Sequence, residues 1–216
     1  MRTLDGLPAP SRSGRFAALT LAIAAVSPSF PSRNVHAQGS PAAATTAVAP
    51  APGVDEVRVA LDKYRDPIVA VHDGYFSTLV CTEFPEPGAA GELPYPAGGM
   101  GIHFLNPGLM GAPLDPLHPQ VLLYDVEGDS LRLIAAEWFV PLATGVKARP
   151  HLFGRPFDGP MEGHHPIMPA GLHHYDLHVW LWKTNPAGMF SPTNAAVTCP
   201  KTGYSVSERA PKLVSP

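Results

Sequence analysis

Residues able to do chemistry are unevenly placed in this 216-residue chain. The run HHYDLHVWLW, His173 to Trp182, opens a strand-like apolar stretch with three histidines and an aspartate. Imidazole at that density marks either a solvated surface or the rim of a site that uses nitrogen lone pairs. Alternate side chains of a strand share a face, so His178 stands with Asp176, Trp180 and Trp182, and Leu177, Val179 and Leu181 face away. In LRLIAAEWFV, Leu131 to Val140, the same parity puts Glu137 in a row with Leu131, Leu133, Ala135 and Phe139. A carboxylate in an apolar row needs a cation, a metal or a raised pKa, because burying an isolated charge is very costly. Either Arg132 or Arg149 would satisfy it, as would a row whose end meets solvent. Upstream, GGMGIHFLN sets His103 in a short strand after a glycine-rich turn, where small residues let backbone or ligand approach closely.

His103, Glu137 and His178 together are two imidazoles and a carboxylate, a set that holds a divalent metal and leaves coordination positions open. Their distance in sequence is what a β-barrel or sandwich imposes on a site built from separate strands. His174, four residues before His178 and on its side of the strand by even spacing, is the expected fourth ligand. The pairs His164-His165, after Glu162, and His173-His174, before Asp176, offer further ligands or supporting carboxylates, or simply a solvated loop. His72 and His118 read as surface residues. Imidazole with carboxylate suits zinc, copper and iron alike. Trp138, Trp180, Trp182, Phe104 and Tyr175 would line an apolar pocket for a small organic ligand or fill the core. No G-x-S-x-G elbow, no GxxxxGK phosphate loop and no CxxC pair occurs, so serine, phosphate-loop and thiol chemistries are not favoured.

The elements that must position these residues begin after an address-like segment. Arg2, Arg12 and Arg15 precede the apolar stretch Phe16 to Val26, and Val35-His36-Ala37 supplies a small-residue cleavage pattern, so residues 1–37 read as a secretory signal peptide. Eleven apolar residues fall well short of the ~20 that span a bilayer, and the mature chain is expected to have no membrane span. Residues 38–53, rich in Ala, Pro and Thr without periodicity, read as a disordered linker. Residues 54–216 then make one β-rich domain. Val54, Val57, Ala60, Leu61 and Tyr64 recur at helical spacing with Asp55 and Glu56 in the first turn. Pro67 fits the first turn of a second helix over Ile68–His72, which Gly74 stops.

Beyond Gly74, Val121–Tyr124, Leu131–Val140 and Leu177–Trp182 read as strands, with Glu127-Gly128-Asp129 as a hairpin turn between the first two. Prolines 150, 156, 160, 166 and 169 make the segment between Gly145 and Gly171 a long irregular loop, and such loops are disproportionately functional. The fold expected is α+β and mainly β: a small β-barrel or sandwich with one or two N-terminal helices and a long Pro/Gly-rich loop. Export favours pairing of the two cysteines, Cys81 and Cys199, which would tie the first third of the chain to its C-terminal region. A net charge of −3 with 15% charged residues offers no basic patch for nucleic acid; the expected partner is a small molecule.

The stretches GGMGIHFLN, AEWFVP and DLHVWLWKTNPAGMF resemble a group of secreted bacterial proteins of uncharacterised function, sharing G-M-G-x-H, an E-aromatic strand and D-L-H-V-W-L-W-K-x-N-P. The resemblance covers about Val54 to Cys199 and supports His103, Glu137 and His178 as the site. The site is also similar to that of cupins, β-barrels that hold a metal with histidines and a glutamate, although Gly101 and Leu105 stand where a local HxH pair would place its second histidine. These observations imply a secreted or periplasmic protein holding one divalent metal, acting as an oxidoreductase or hydrolase on a small molecule. The alternatives are a non-catalytic periplasmic binder of metal or small ligand, and a structural envelope protein.

Overall fold

The computed structural model describes residues 51–201 and 204–215. The expected signal peptide and most of the expected linker lie outside the described residues. The first helix, α1 (Val54–Leu61), turns into a 3₁₀ segment, Asp62–Arg65, and α2 spans Pro67–His72. The Asp66 side chain accepts a hydrogen bond from the Ile68 N–H at 2.9 Å and Pro67 takes the first turn, where its missing N–H costs nothing. Val57, Leu61, Tyr64 and Ala70 point from these helices into the core.

The remaining elements are β1 (Phe76–Phe84), β2 (Gly88–Ala90), β3 (Leu93–Tyr95), β4 (Gly98–Leu105), β5 (Val121–Glu127), β6 (Ser130–Pro141), β7 (His151–Leu152), β8 (Arg155–Pro156), β9 (Asp158–Met161), β10 (His174–Val179) and β11 (Ser205–Ser207). The fold is α+β and mainly β, dominated by a seven-stranded sheet in the order β11-β1-β4-β5-β6-β10-β9, curled into a half-barrel. All neighbours are antiparallel except β11, which runs parallel to β1. The β5–β6 hairpin turns through Gly128 at φ +61° and Asp129, as the sequence suggests.

Three local details depart from the sequence reading. The third expected strand starts and ends earlier, at His174–Val179 rather than Leu177–Trp182, which brings His174 and Asp176 into the sheet. The Gly145–Gly171 segment is not wholly irregular: it contains β7, β8 and β9, and β9 forms a sheet edge. In β6 a bulge leaves Ile134 unpaired, because Leu123 faces Ala135 while Tyr124 faces Leu133. One extra residue shifts the alternation. Leu131 and Leu133 therefore pack on the helix side with Ala136 and Trp138, while Ile134 joins Ala135 and Phe139 on the other face.

The sheet thus separates two apolar layers. On its outer face Phe104, Leu122, Tyr124, Trp138 and Leu177 pack against α1 and α2. On its concave face Val121, Leu123, Ala135, Phe139 and Trp180 form a second cluster. The edges are linked by the C-terminal segment. Beyond β11, which is bound to β1, the chain crosses to β9, where the Glu162 N–H donates to the Lys212 carbonyl at 3.0 Å and the Val214 N–H to the Pro160 carbonyl at 2.9 Å. A disulfide joins Cys81 of β1 to Cys199, 118 residues away. On the chain-entropy model, closing so long a loop stabilises by up to ~4–5 kcal/mol. Among the described residues no helix is long and apolar enough to cross a membrane.

Candidate metal centre

The concave face gathers the chemistry. His178 on β10 pairs directly with Glu137 on β6, and Glu137 pairs in turn with Val121 on β5. His103 on β4 pairs with Leu123, one pleat along from Val121. With β5 between them, β4 and β6 run about 9–10 Å apart. The inward curl lets the long side chains of His103 and Glu137 reach across Val121 and Leu123. Glu137 Oε2 lies 3.9 Å from His103 Nε2 and 3.5 Å from His178 Nε2. One ligand atom from each of the three residues falls within 4.8 Å of the other two. Around a four-coordinate ion with ~2.1 Å bonds, neighbouring ligand atoms stand about 3.4 Å apart; the trio is close to that spacing and too wide for good hydrogen bonds.

Backbone irregularities frame His103. Gly101, two residues before it, has φ +88°, and a Cβ there would fall on the Tyr124 carbonyl oxygen, so only glycine lets β4 lie against β5 at this point. Opposite His103 the β1–β4 register slips between Ser77 and Cys81, and Leu79 takes φ +62° in the resulting bulge. A non-glycine residue in that region is strained, and such strain gathers at functional sites.

Electrostatics at the trio are those of groups that could hold a cation. His103 Nδ1, both His178 ring nitrogens and Glu137 Oε2 are buried and have no hydrogen-bond partner among the described residues. Neither expected arginine reaches Glu137: Arg132 pairs with Glu127, and Arg149 donates to the Gly159 carbonyl. Burial, then the negative charge of Asp176, raises the Glu137 carboxyl well above the usual carboxylate range. Burial likewise pushes His103 down to about 3 and His178 down to about 4, so both rings are neutral and keep their lone pairs at ordinary pH.

A second group lies beside the first. His164, His174 and Asp176 each place a ligand atom within 4.8 Å of the other two. His174, expected as a fourth ligand of the first trio, is placed in this group. Its ring stacks on Phe139 at 4.5 Å between centroids. Burial also acts on Asp176, but the His174 imidazole 3.6 Å away and the neighbouring His178 and His164 outweigh it and hold the carboxyl below its ordinary value. Glu208, just past β11, lies 3.2 Å from His164; nothing in its sequence surroundings signalled a role. His165 is exposed, His173 is half-buried, His72 is exposed, and His118 pairs with Asp115 at the surface.

A cavity of about 350 Å³ opens over the first trio. His103, Glu137 and His178 form its floor; Ile167, Met168 and Leu172, from the long Pro/Gly-rich segment, face them across it. His164 and Glu208 also reach its wall. The aromatic lining differs from the sequence reading: Phe139 borders the cavity, whereas Phe104, Trp138 and Tyr175 fill the core on the opposite face. Trp182 follows them to that face and donates to Asp62 at 3.0 Å, because the strand alternation stops at Val179. Buried histidine and carboxylate groups able to hold a metal ion are therefore present at the foot of an apolar cavity. Against family models, curated proteins and solved structures alike, the chain finds no match.

Proposed function

We propose that this protein is an exported metalloprotein in which His103, Glu137 and His178 hold one divalent ion at the floor of the cavity, and that it acts on a small, largely apolar molecule as an oxidoreductase or hydrolase. The observation that carries this reading is the convergence of three buried ligand atoms from three strands, with Glu137 Oε2 and both His178 ring nitrogens lacking hydrogen-bond partners among the described residues. A buried carboxyl and two neutral imidazoles left unsatisfied are costly, and one cation relieves all three. The disulfide fits a chain that folds in an oxidising compartment.

Three protein ligands would leave a tetrahedral ion one open position, and all three residues line the cavity. A bound ion would supply Lewis acidity toward a substrate oxygen, or a water more acidic than in bulk. The chain supplies the rest. Ile167, Met168 and Leu172 exclude water and hold an apolar body over the floor. Glu137 would have to be ionised to hold the cation, so binding would release its proton to solvent.

Elemental analysis of protein purified from its native compartment tests the reading. A divalent metal is expected, and its loss from the first trio on changing His103, Glu137 or His178 singly to Ala. Protein that folds, holds no metal and takes none up would overturn it. The apolar walls also suit a non-catalytic binder, and coordination separates the two: an exchangeable water on the ion favours the enzyme, a shell saturated by protein favours storage.

A further inference from the structure

We propose that His164, His174 and Asp176 form a second divalent-cation site, distinct from the first trio, with Glu208 as its positioning residue. The site draws on three parts of the fold. His174 and Asp176 come from β10, His164 from the segment after β9, and Glu208 from the C-terminal segment after β11.

The hydrogen bonds prepare the ligand atoms. His174 Nδ1 is 3.1 Å from the Leu172 carbonyl oxygen. A carbonyl only accepts, so Nδ1 carries the proton and donates it, and Nε2 is left with a lone pair. His164 Nδ1 is 3.2 Å from Glu208 Oε2, and donation to that carboxylate frees its Nε2 in the same way. Both Nε2 atoms face one oxygen: Asp176 Oδ2 is 3.6 Å from His174 Nε2 and 3.9 Å from His164 Nε2. An imidazole bound through one nitrogen and anchored through the other by a carbonyl or carboxylate is the usual build of a metal-ligating histidine.

Burial supplies an independent argument. His174 is 0% and Asp176 1% exposed, and His174 Nε2, both Asp176 carboxylate oxygens and Glu208 Oε1 have no hydrogen-bond partner among the described residues. The ion pairs of Asp176 and Glu208 among those residues are with histidine alone. Two carboxylates left so deep are costly unless a positive charge joins them. Imidazole with carboxylate selects a first-row transition ion over magnesium or calcium.

The two groups share no residue, and the ligand atoms converge separately within each group. The second ion is placed as a neighbour of the first rather than as the same ion. Of its three ligands only His164 borders the cavity. The second ion is therefore the enclosed one, with a structural role: it ties the C-terminal segment and the loop after β9 to the sheet. This inference shares with the proposed function the reading that the molecule binds metal, but it rests on other side chains.

The test is a titration of chelator-treated full-length protein with zinc ion, counting bound metal after desalting, in the wild type and in the His174→Gln and His178→Gln variants. The expected result is two equivalents in the wild type and one in each variant. One wild-type equivalent that survives His174→Gln and is lost with His178→Gln overturns the second site and leaves the first standing. One equivalent lost with His178→Gln and His174→Gln alike means a single shared ion and also overturns it. One equivalent lost only with His174→Gln supports the second site and overturns the first. No binding overturns both. Should a variant fail to fold, the wild-type count decides between one ion and two, and Asp176→Asn replaces His174→Gln.

Discussion

Glu137 and Asp176 are both buried carboxyl groups of the concave face, yet their protonation is opposite: Glu137 is driven up and Asp176 is held down. The difference lies in their neighbours. Asp176 has His174 and His164 as well as His178 around it, and together they outweigh its burial, whereas burial and the charge of Asp176 both act to raise Glu137. In the metal-free protein one carboxyl therefore carries the charge and the other the proton.

Substitution should separate them. Glu137→Gln replaces a protonated carboxyl with a neutral group of the same shape. At pH 4, below the range in which this linkage acts, the metal-free variant is expected to melt within a few degrees of the wild type, a difference of under about 1 kcal/mol. Asp176→Asn removes a charge that three imidazoles surround, and is expected to lower the melting temperature clearly, by about 2–3 kcal/mol. Thermal unfolding of chelator-treated samples measures both.

The pH dependence of stability follows from the same shifts. The two imidazoles have folded values below the ordinary 6.5, so their contribution is present above pH 6.5 and is lost as the pH falls through about 4 and 3. Glu137 works in the other sense: its folded value is raised, so its contribution is complete below pH 4.5 and is lost as pH rises toward that value. Asp158, pushed up to about 7 by burial and by Asp176, adds a loss between pH 3.8 and about 7. Between pH 4.5 and 6.5 the two imidazole gains are opposed by two carboxyl losses, so the metal-free protein should gain less stability over this range than the imidazoles alone would give. Denaturant midpoints across pH 4 to 9 check this; Glu137→Gln should steepen the rise, and an unchanged profile would assign the effect to another group.

Gly101→Ala tests whether backbone geometry sets the position of His103. The φ of +88° and the Tyr124 carbonyl leave no place for a methyl group, so β4 must shift. A loss of about 1–3 kcal/mol is expected, together with weaker metal binding at the first trio. Stability and zinc affinity measured on the same sample distinguish a local shift, which moves both, from simple loosening, which moves only stability.

Replacing Cys81 and Cys199 together by Ser is expected to lower stability by up to ~4–5 kcal/mol. Because the bond anchors the segment leading to β11, and β11 leads to Glu208, limited proteolysis should cut first between the cysteine position and Ser205. Cleavage elsewhere would show that the bond does not hold this region.

Much of the site was legible because strand alternation is a short-range rule. The inward side of Glu137 follows from its parity with Ala135 and Phe139, and that of His178 from its parity with Asp176. The rule failed where the backbone broke it. Ile134 carries a bulge that sends Leu131 and Leu133 to the other face, and the strand holding His178 ends at Val179, before Trp180 and Trp182. Even spacing put His174 on the correct face, but spacing along one strand does not say how far apart two ions would be. Glu208 was out of reach altogether. Its place depends on a parallel pairing between chain ends, a long-range contact that no local pattern encodes.

The C-terminal segment works like a belt across an open staircase. It is fastened to one edge of the sheet through β11, to the other through the Met161–Leu213 bridge, and near its middle Glu208 holds His164. Shortening the protein at Ser205 would therefore unbuckle both edges at once and let His164 swing free, although none of the deleted side chains belongs to the trio of His103, Glu137 and His178. Affinity handles and crystallisation trims belong at the other end of the molecule.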